Sequence, residues 1–385
     1  MLADSIPIYP LYALLFADTG LSGARISTLF LIWSTVGIVA EVPTGALADR
    51  FSRRAALALS SVFQAAGYVL WIVAPGYVGF AAGFALWGFG GSLGSGAREA
   101  LLYDGLAAVG AEGDYPRVYG QVNACQLISQ LPAAVAATLL FSAGGYQLAG
   151  WASVLCCLAA AALAVRLPDG SGGPPASAGP APDVDEPHLS YLATLRIGLG
   201  EVARRRAVLA GAVAVALVGS LDGLEEYFTL LADAWGVATA LIPLSLLAAP
   251  LFGAAGAALG GRAAGWRPGR LGLLLAAAVT AFTAACVLHR PVGIAGVAVA
   301  YGLYHAVLVV TDARLQAAIQ GPARATVTSV ASLGADLCGI LLYAAWATGQ
   351  QATLAVAGLA LAAVLPTLLR AYQSEGRSSE LEPKK

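Results

Sequence analysis

The sequence predicts an all-α membrane protein with twelve transmembrane helices in two related six-helix bundles. Of its 385 residues, 58% are hydrophobic and only 11% are charged, whereas soluble domains carry roughly 25% charged residues. Apolar stretches recur along the whole chain at lengths near the ~20 residues that cross a bilayer as a helix. A polar segment at 168–205 separates six of these stretches from six others.

The predicted spans end at breaks that contain Gly or Pro, such as Pro75-Gly76 and Gly144-Gly145, because these residues interrupt helices. The twelve spans cover residues 2–18, 24–48, 55–74, 77–103, 117–142, 147–166, 206–232, 238–260, 270–288, 291–313, 324–347 and 351–371.

The segment between the two halves is polar and divides the chain into domains. Residues 168–187 are rich in Gly, Pro, Ser and Asp, which predicts a flexible linker. Residues 188–205 predict a surface helix whose basic end meets anionic headgroups. The predicted parts are a first bundle at 1–167, the linker and surface helix at 168–205, a second bundle at 206–372 and a cytoplasmic tail at 373–385.

Basic residues set the predicted orientation, because Lys and Arg are concentrated on the cytoplasmic side of membrane proteins. With the N-terminus inside, 19 of the 21 basic residues fall in inner loops, tails or inner helix ends, and only Arg25 and Arg290 fall outside. An even number of spans then places both termini in the cytoplasm. Lysine occurs only at Lys384 and Lys385 in a chain rich in Ala, Gly and Arg, which favours a bacterial inner-membrane protein.

The first predicted span is short for a membrane crossing. Only the residues before Asp18 are available, and Asp4 with a charged amino terminus would lie in hydrocarbon at a cost of several kcal/mol. We expect the natural protein to begin about 8–15 residues before Met1.

The two halves resemble each other in parallel, as in carriers built from repeated bundles. Residues 45–50 align with residues 257–262, and the fifth and eleventh spans carry matching polar stripes at helical spacing. The further aligned residues are Tyr12 and Asp18 with Tyr227 and Asp233, and Asn123, Gln126 and Gln130 with Ser329, Ser332 and Asp336.

A short charged turn at 45–54 joins the second and third spans. Gly45 allows a neighbouring helix to approach closely. Asp49 is placed to accept hydrogen bonds from the N-terminus of another helix. The basic residues of the turn are Arg50, Arg53 and Arg54.

The pattern Gly45-x-x-x-Asp49-Arg50-x-x-Arg53-Arg54 resembles the signature loop between helices 2 and 3 of the major facilitator superfamily of transporters. The resemblance extends to 41–45, 95–104 and 324–329, and it implies a solute carrier. It also implies that the loop is a conformational latch, which packs against the start of helix 11 and releases when the carrier opens inward.

The chain departs from this family pattern at three places. Ser52 stands where the family usually has Gly, and Gly261 occupies the Asp49 position in the second half. The fifth span has Gln-Leu-Pro-Ala at 130–133 in place of the Gly-rich antiporter signature.

Ionisable residues in the apolar spans are the candidate site, because burying them in a bilayer is costly. In the seventh span, Asp222, Glu225 and Glu226 follow one α-helical stripe, and Asp222 lies about 24 Å from the inner end. Such a carboxylate is suited to carry a proton or contact substrate; the alternative is that water in an outer vestibule solvates Glu225 and Glu226.

Five further spans carry candidate residues. In the tenth span, Tyr301, Tyr304 and His305 share a face, and His305 lies about 21 Å from the outer end, where it either titrates, binds substrate or simply packs. In the fourth, Arg98 and Glu99 either serve transport or brace the bundle, with Arg98 paired to Glu41. The remaining candidates for the substrate or proton path are Asp4, Gln126, Gln130 and Asp336.

The buried acids therefore favour proton coupling in a monomeric secondary transporter of a small organic solute, and the family resemblance implies export as its direction. A proton-linked importer or facilitator and a non-transporting membrane sensor are the alternatives. An enzyme is not expected, because three histidines form no zinc motif and both lysines end the chain. No cofactor or metal is expected, and a net charge of −1 disfavours nucleic acid as a partner.

Overall fold

The computed structural model describes residues 2–50, 52–111, 114–167, 205–262, 265–319, 324–349 and 351–380. Most of the predicted linker and surface helix at 168–205, and residues 381–385 of the predicted tail, lie outside this range. The helices are α1 Tyr12–Asp18, α2 Gly23–Arg50, α3 Arg53–Val73, α4 Tyr77–Ala107, α5 Tyr115–Ala164, α6 Arg206–Gly219, α7 Phe228–Ala234, α8 Ile242–Leu246, α9 Ala248–Arg262, α10 Pro268–Leu288, α11 Gly293–Ala318, α12 Arg324–Ala347 and α13 Gln351–Glu380.

The described part of the chain is helical, and nine of its helices are long and apolar enough to cross a membrane. One of the nine covers Ile128–Ala164, where the backbone leaves helical geometry at Gly144 and Gly145. The predicted break at these two glycines therefore divides α5 into two helices.

The first, seventh and eighth predicted spans are not continuous α-helices. The eighth, predicted at 238–260, consists of a 3₁₀ turn at Thr239–Leu241 followed by the separate helices α8 and α9. The first consists of 3₁₀ turns at Leu2–Asp4 and Tyr9–Leu11 followed by α1. Pro7 and Pro10 explain the interruption, because proline lacks the N–H that an α-helix requires. In the seventh, Ser220–Tyr227 forms a 3₁₀ helix between α6 and α7. This segment contains Gly223, which weakens an α-helix.

The chain divides into two compact units: Met1–Pro187 with Thr239–Leu244, and His188–Ala238 with Ser245–Lys385. In the first unit, the core is aromatic. Tyr12, Phe16, Trp71 and Phe84 are at most 3% exposed, and their ring centroids lie 5.0 to 5.7 Å apart. Such pairs stabilise a core beyond their buried area.

In the second unit, a core of Leu, Val and Ala side chains joins α6, α10, α11 and α13. Helices α9 and α11 approach so closely that a side chain at Gly256 would overlap the backbone carbonyl of Gly302. Small residues produce this close packing in membrane proteins.

The charged turn at 45–54 is tighter than predicted. Helix α2 continues to Arg50, and α3 begins at Arg53 after the N-cap residue Ser52. The structure does not describe the surroundings of Gly45 or the side chains of Asp49 and Arg50. The segment 321–323, which the latch prediction requires, also lies outside the described residues.

Candidate functional site

The centre of the candidate site is the hydroxyl group of Tyr301 on α11. It lies 2.7 Å from a carboxylate oxygen of Glu225 and 3.1 Å from one of Asp222. The two acids are three residues apart on the 3₁₀ segment, which has 3.0 residues per turn. Their side chains therefore leave the segment in the same direction and reach one hydroxyl.

His305 lies beside these groups, one helical turn from Tyr301. Its Nε2 is 4.0 Å from Oδ1 of Asp222. The imidazole packs edge-on against the ring of Tyr301, with centroids 4.4 Å apart, and lies 4.9 Å from the ring of Tyr304. We call Asp222, Glu225, Tyr301 and His305 the acid cluster.

The acid cluster combines exposed and sheltered groups. The side chain of Asp222 is 55% exposed and that of His305 is 24% exposed, while Glu225 is half-buried. Asp222 is therefore the more accessible of the two acids, and Glu225 is the more sheltered.

The hydrogen-bond donors and acceptors of the acid cluster balance when one of its two carboxylates is protonated. A tyrosine hydroxyl has a single hydrogen to donate, while an ionised carboxylate only accepts. If both acids are ionised, the Tyr301 hydroxyl donates its hydrogen to one carboxylate. The other carboxylate then faces the hydroxyl oxygen with no hydrogen between the two oxygen atoms. With one acid protonated, that acid donates to Tyr301 and Tyr301 donates to the other. Both short contacts are then hydrogen bonds.

Glu226, predicted on the same stripe, leaves the 3₁₀ segment about 120° away from Glu225. It is not a hydrogen-bond partner of Tyr301. The prediction placed it beside Asp222 because it assumed α-helical geometry. Tyr343 packs closely on this segment, because a side chain at Gly223 would lie 3.2 Å from its ring.

One residue of the site was missed in the sequence. A Cβ at Gly253 of α9 would lie 3.0 Å from both Tyr301 and His305. Its missing side chain leaves room for the two rings. A glycine among many in an Ala- and Gly-rich span carries no signal of this contact.

On α12, the three predicted polar residues share an exposed face. Ser329, Ser332 and Asp336 are all exposed within the described structure. This placement agrees with a polar stripe.

In the first unit, Gln126 donates to a carboxylate oxygen of Asp4 at 3.1 Å, which joins two predicted candidates. Gln130 is half-buried. Arg98 and Glu41 are both exposed and form no ion pair with each other among the described contacts. The side chains of Asn123 and Glu99 lie outside the described residues.

No group of three or more His, Cys, Asp or Glu side chains within the described residues has the geometry of a metal site. The cysteines Cys125, Cys156, Cys157, Cys286 and Cys338 are free thiols.

Comparisons with known proteins give a consistent result. A model of the Major Facilitator Superfamily matches residues 1–343. No curated protein sequence matches the chain.

Several solved structures are similar to this chain. A bacterial homologue of the human lysosomal transporter Spinster, inward-facing and occupied, has a TM-score of 0.63 at 17% identity, over 98% of this chain and 89% of that one. A D-xylose–proton symporter has a TM-score of 0.65 at 13% identity, over 94% and 92%. The nucleoside transporter NupG has a TM-score of 0.69 at 11% identity, over 97% and 96%. At these identities the likeness shows the fold alone.

Proposed function

Because the chain belongs to the Major Facilitator Superfamily, we propose that it moves a small organic solute across the bacterial inner membrane as a proton-coupled exporter. The protein is a multi-pass membrane transporter rather than an enzyme. The proposal adds twelve spans in two six-helix bundles, both termini in the cytoplasm, and alternating access by a monomer.

The observation that carries proton coupling is the shared hydroxyl of Tyr301. Because Tyr301 has one hydrogen to donate, the two carboxylates beside its hydroxyl make better hydrogen bonds when one of them is protonated than when both are ionised. Because Asp222 is the more exposed acid, a positively charged or neutral solute that approaches it competes with that proton. Release of the proton on solute binding is the step that exchange requires.

The remaining predicted residues have proposed places in this transporter. We assign Asp4, Gln126 and Gln130 to the solute path of the first unit, and Asp336 and Tyr304 to that of the second. The latch role is proposed for Gly45, Asp49, Arg50, Arg53 and Arg54, a role at the inner end of the path for Arg98 and Glu99, and a role in the outer half of the path for Glu226.

The test uses inside-out membrane vesicles with an imposed pH gradient, acid inside, and a fluorescent reporter of that gradient. Organic cations and neutral solutes are added one at a time. We expect at least one to dissipate the gradient in vesicles that contain the protein and not in empty vesicles. Glu225→Gln should abolish this response, because the variant keeps the side-chain shape and loses the ionisable group.

Asp114→Asn is the matched control, because Asp114 is exposed, lies immediately before α5 and belongs to the first unit, whereas the acid cluster belongs to the second. It should respond like the unmodified protein. A solute that crosses the membrane with the pH gradient intact would identify a facilitator instead. Gradient-driven uptake into cells would identify an importer.

A further inference from the structure

A second feature of the second unit is a cavity of about 290 Å³. Its wall includes residues of the 3₁₀ segment and of α10, α11, α12 and α13. The lining on α10 extends from Leu275 to His289, which is about 21 Å along the helix axis. The cavity is therefore long and narrow.

The two ends of the cavity differ. At the deep end, Leu275, Ala278 and Tyr304 belong to one buried core cluster. At the other end, Val287 is 75% exposed, and His289 and Ala352 are also exposed. The mouth therefore lies at the C-terminal end of α10.

The hydroxyl groups in the lining already have partners. Thr283 donates to the backbone carbonyl of Val279 at 2.8 Å, Tyr301 contacts the two acids, and Tyr304 donates to the carbonyl of Gly219. A polar occupant would lose its hydrogen bonds to water without replacement from these groups, which costs free energy. Water also needs two to four polar partners to remain in a cavity. The lining therefore favours a hydrocarbon.

The membrane around the cavity is a source of hydrocarbon chains. Helix α10 is a candidate membrane span with a mean hydropathy of 2.3, so lipid chains lie beside it. At the mouth, His289 is a ring side chain with a polar edge, and the lining also contains Trp346, a residue type that is enriched near lipid headgroups.

We propose that this cavity binds one acyl chain of a bilayer phospholipid, which enters tail-first with its headgroup beside His289. The inference does not depend on the transported solute. The cavity adjoins the acid cluster, because Tyr301 lines the cavity and its hydroxyl contacts Asp222 and Glu225.

The test is photo-crosslinking in proteoliposomes, followed by mass spectrometry of the labelled residues. Two phospholipids are compared, with a diazirine either at the end of one acyl chain or next to its carboxyl group. We expect the terminal diazirine to label the region of Leu275, Ala278 and Tyr304, and the other to label Val287 and Ala352. Labelling confined to outward-facing residues such as Leu273, which is 72% exposed, or a reversed depth pattern would overturn the proposal.

A variant adds a second arm. Ala355 lines the cavity, whereas Ala357, two residues along α13, is exposed and does not. Ala355→Phe should reduce labelling of the deep end at least about fivefold, because close-packed interiors have no room for both groups. Ala357→Phe should leave it unchanged. Equal labelling in both variants and the unmodified protein would contradict the proposal, and the depth pattern in the unmodified protein decides independently of how either variant folds.

Discussion

At the residue scale, the two tyrosines of α11 have different environments although they are three residues apart. The hydroxyl of Tyr301 makes two short contacts with carboxylates, while that of Tyr304 makes one long contact of 3.4 Å with a backbone carbonyl. Hydrogen bonds to charged groups contribute about 1.5–3 kcal/mol, roughly twice the contribution of neutral ones. The two hydroxyls should therefore matter unequally.

We predict that Tyr301→Phe slows solute-driven dissipation of the pH gradient at least about tenfold, since that is the effect of losing roughly 1.4 kcal/mol. The ring that lines the cavity is retained. Tyr304→Phe is the matched variant and should change the rate about twofold at most. Equal rates for the two variants in inside-out vesicles would show that the shared hydroxyl has no part in coupling.

The sequence predicted the members of this site better than their partners. Asp222, Glu225 and His305 stood out because ionisable groups are rare in apolar spans. Their contact through Tyr301 was not predictable, because it depends on a 3₁₀ winding that tertiary packing decides. The same assumption of an α-helix placed Glu226 on the stripe.

At the scale of single elements, the close approach of α9 and α11 depends on glycine. Gly256 faces the backbone of Gly302, which has no side chain to move aside, whereas Gly261 on the same helix has nothing within 4 Å. One helix thus contains a glycine that packing requires and another that it does not.

We predict opposite effects of alanine at these two positions. Gly256→Ala should lower the free energy of unfolding by about 1–3 kcal/mol, because the added methyl group forces the helices apart. Gly261→Ala should leave it unchanged or raise it by up to about 1 kcal/mol, because alanine favours the helix. Thermal melting of the purified protein in detergent measures both. A destabilised Gly261→Ala would mean that helix propensity does not govern this end of α9.

Helix ends were predictable where Gly or Pro residues interrupt the apolar sequence. The spans predicted at 270–288 and 324–347 correspond to α10 and α12 within two residues. The failures at 2–18 and 206–232 share a cause. Both segments are hydrophobic enough for a membrane span. Proline or a short polar run changes the local winding of the helix without changing the average hydrophobicity of the span.

At the scale of the whole molecule, the family predicted from the turn at 45–54 is confirmed by the match over residues 1–343. Length, composition and basic residues were enough to predict a multi-pass membrane protein, and the resemblance of the turn to the family added the prediction of a transporter. The solute was not predictable, because cavity shape arises from packing among Ala, Leu and Gly side chains that carry no chemical label.

The proposed orientation predicts which positions a membrane-impermeant maleimide reaches. In a protein with its five cysteines replaced by alanine, Gly76→Cys and Arg290→Cys should be labelled in intact cells. Ser52→Cys and Asp114→Cys should be labelled only after the cells are permeabilised. The positive-inside distribution of Lys and Arg is the physical reason. The opposite labelling pattern would invert the topology.

The 3₁₀ segment has a mechanical consequence. Eight residues rise about 16 Å as a 3₁₀ helix and about 12 Å as an α-helix. If Ser220–Tyr227 rewound, α7 would be drawn about 4 Å along its axis, and Glu225 would turn about 60° relative to Asp222. The two acids would then no longer reach the same hydroxyl. Rewinding of this one segment would therefore shorten the helix and, at the same time, separate the two carboxylates that share the Tyr301 hydroxyl.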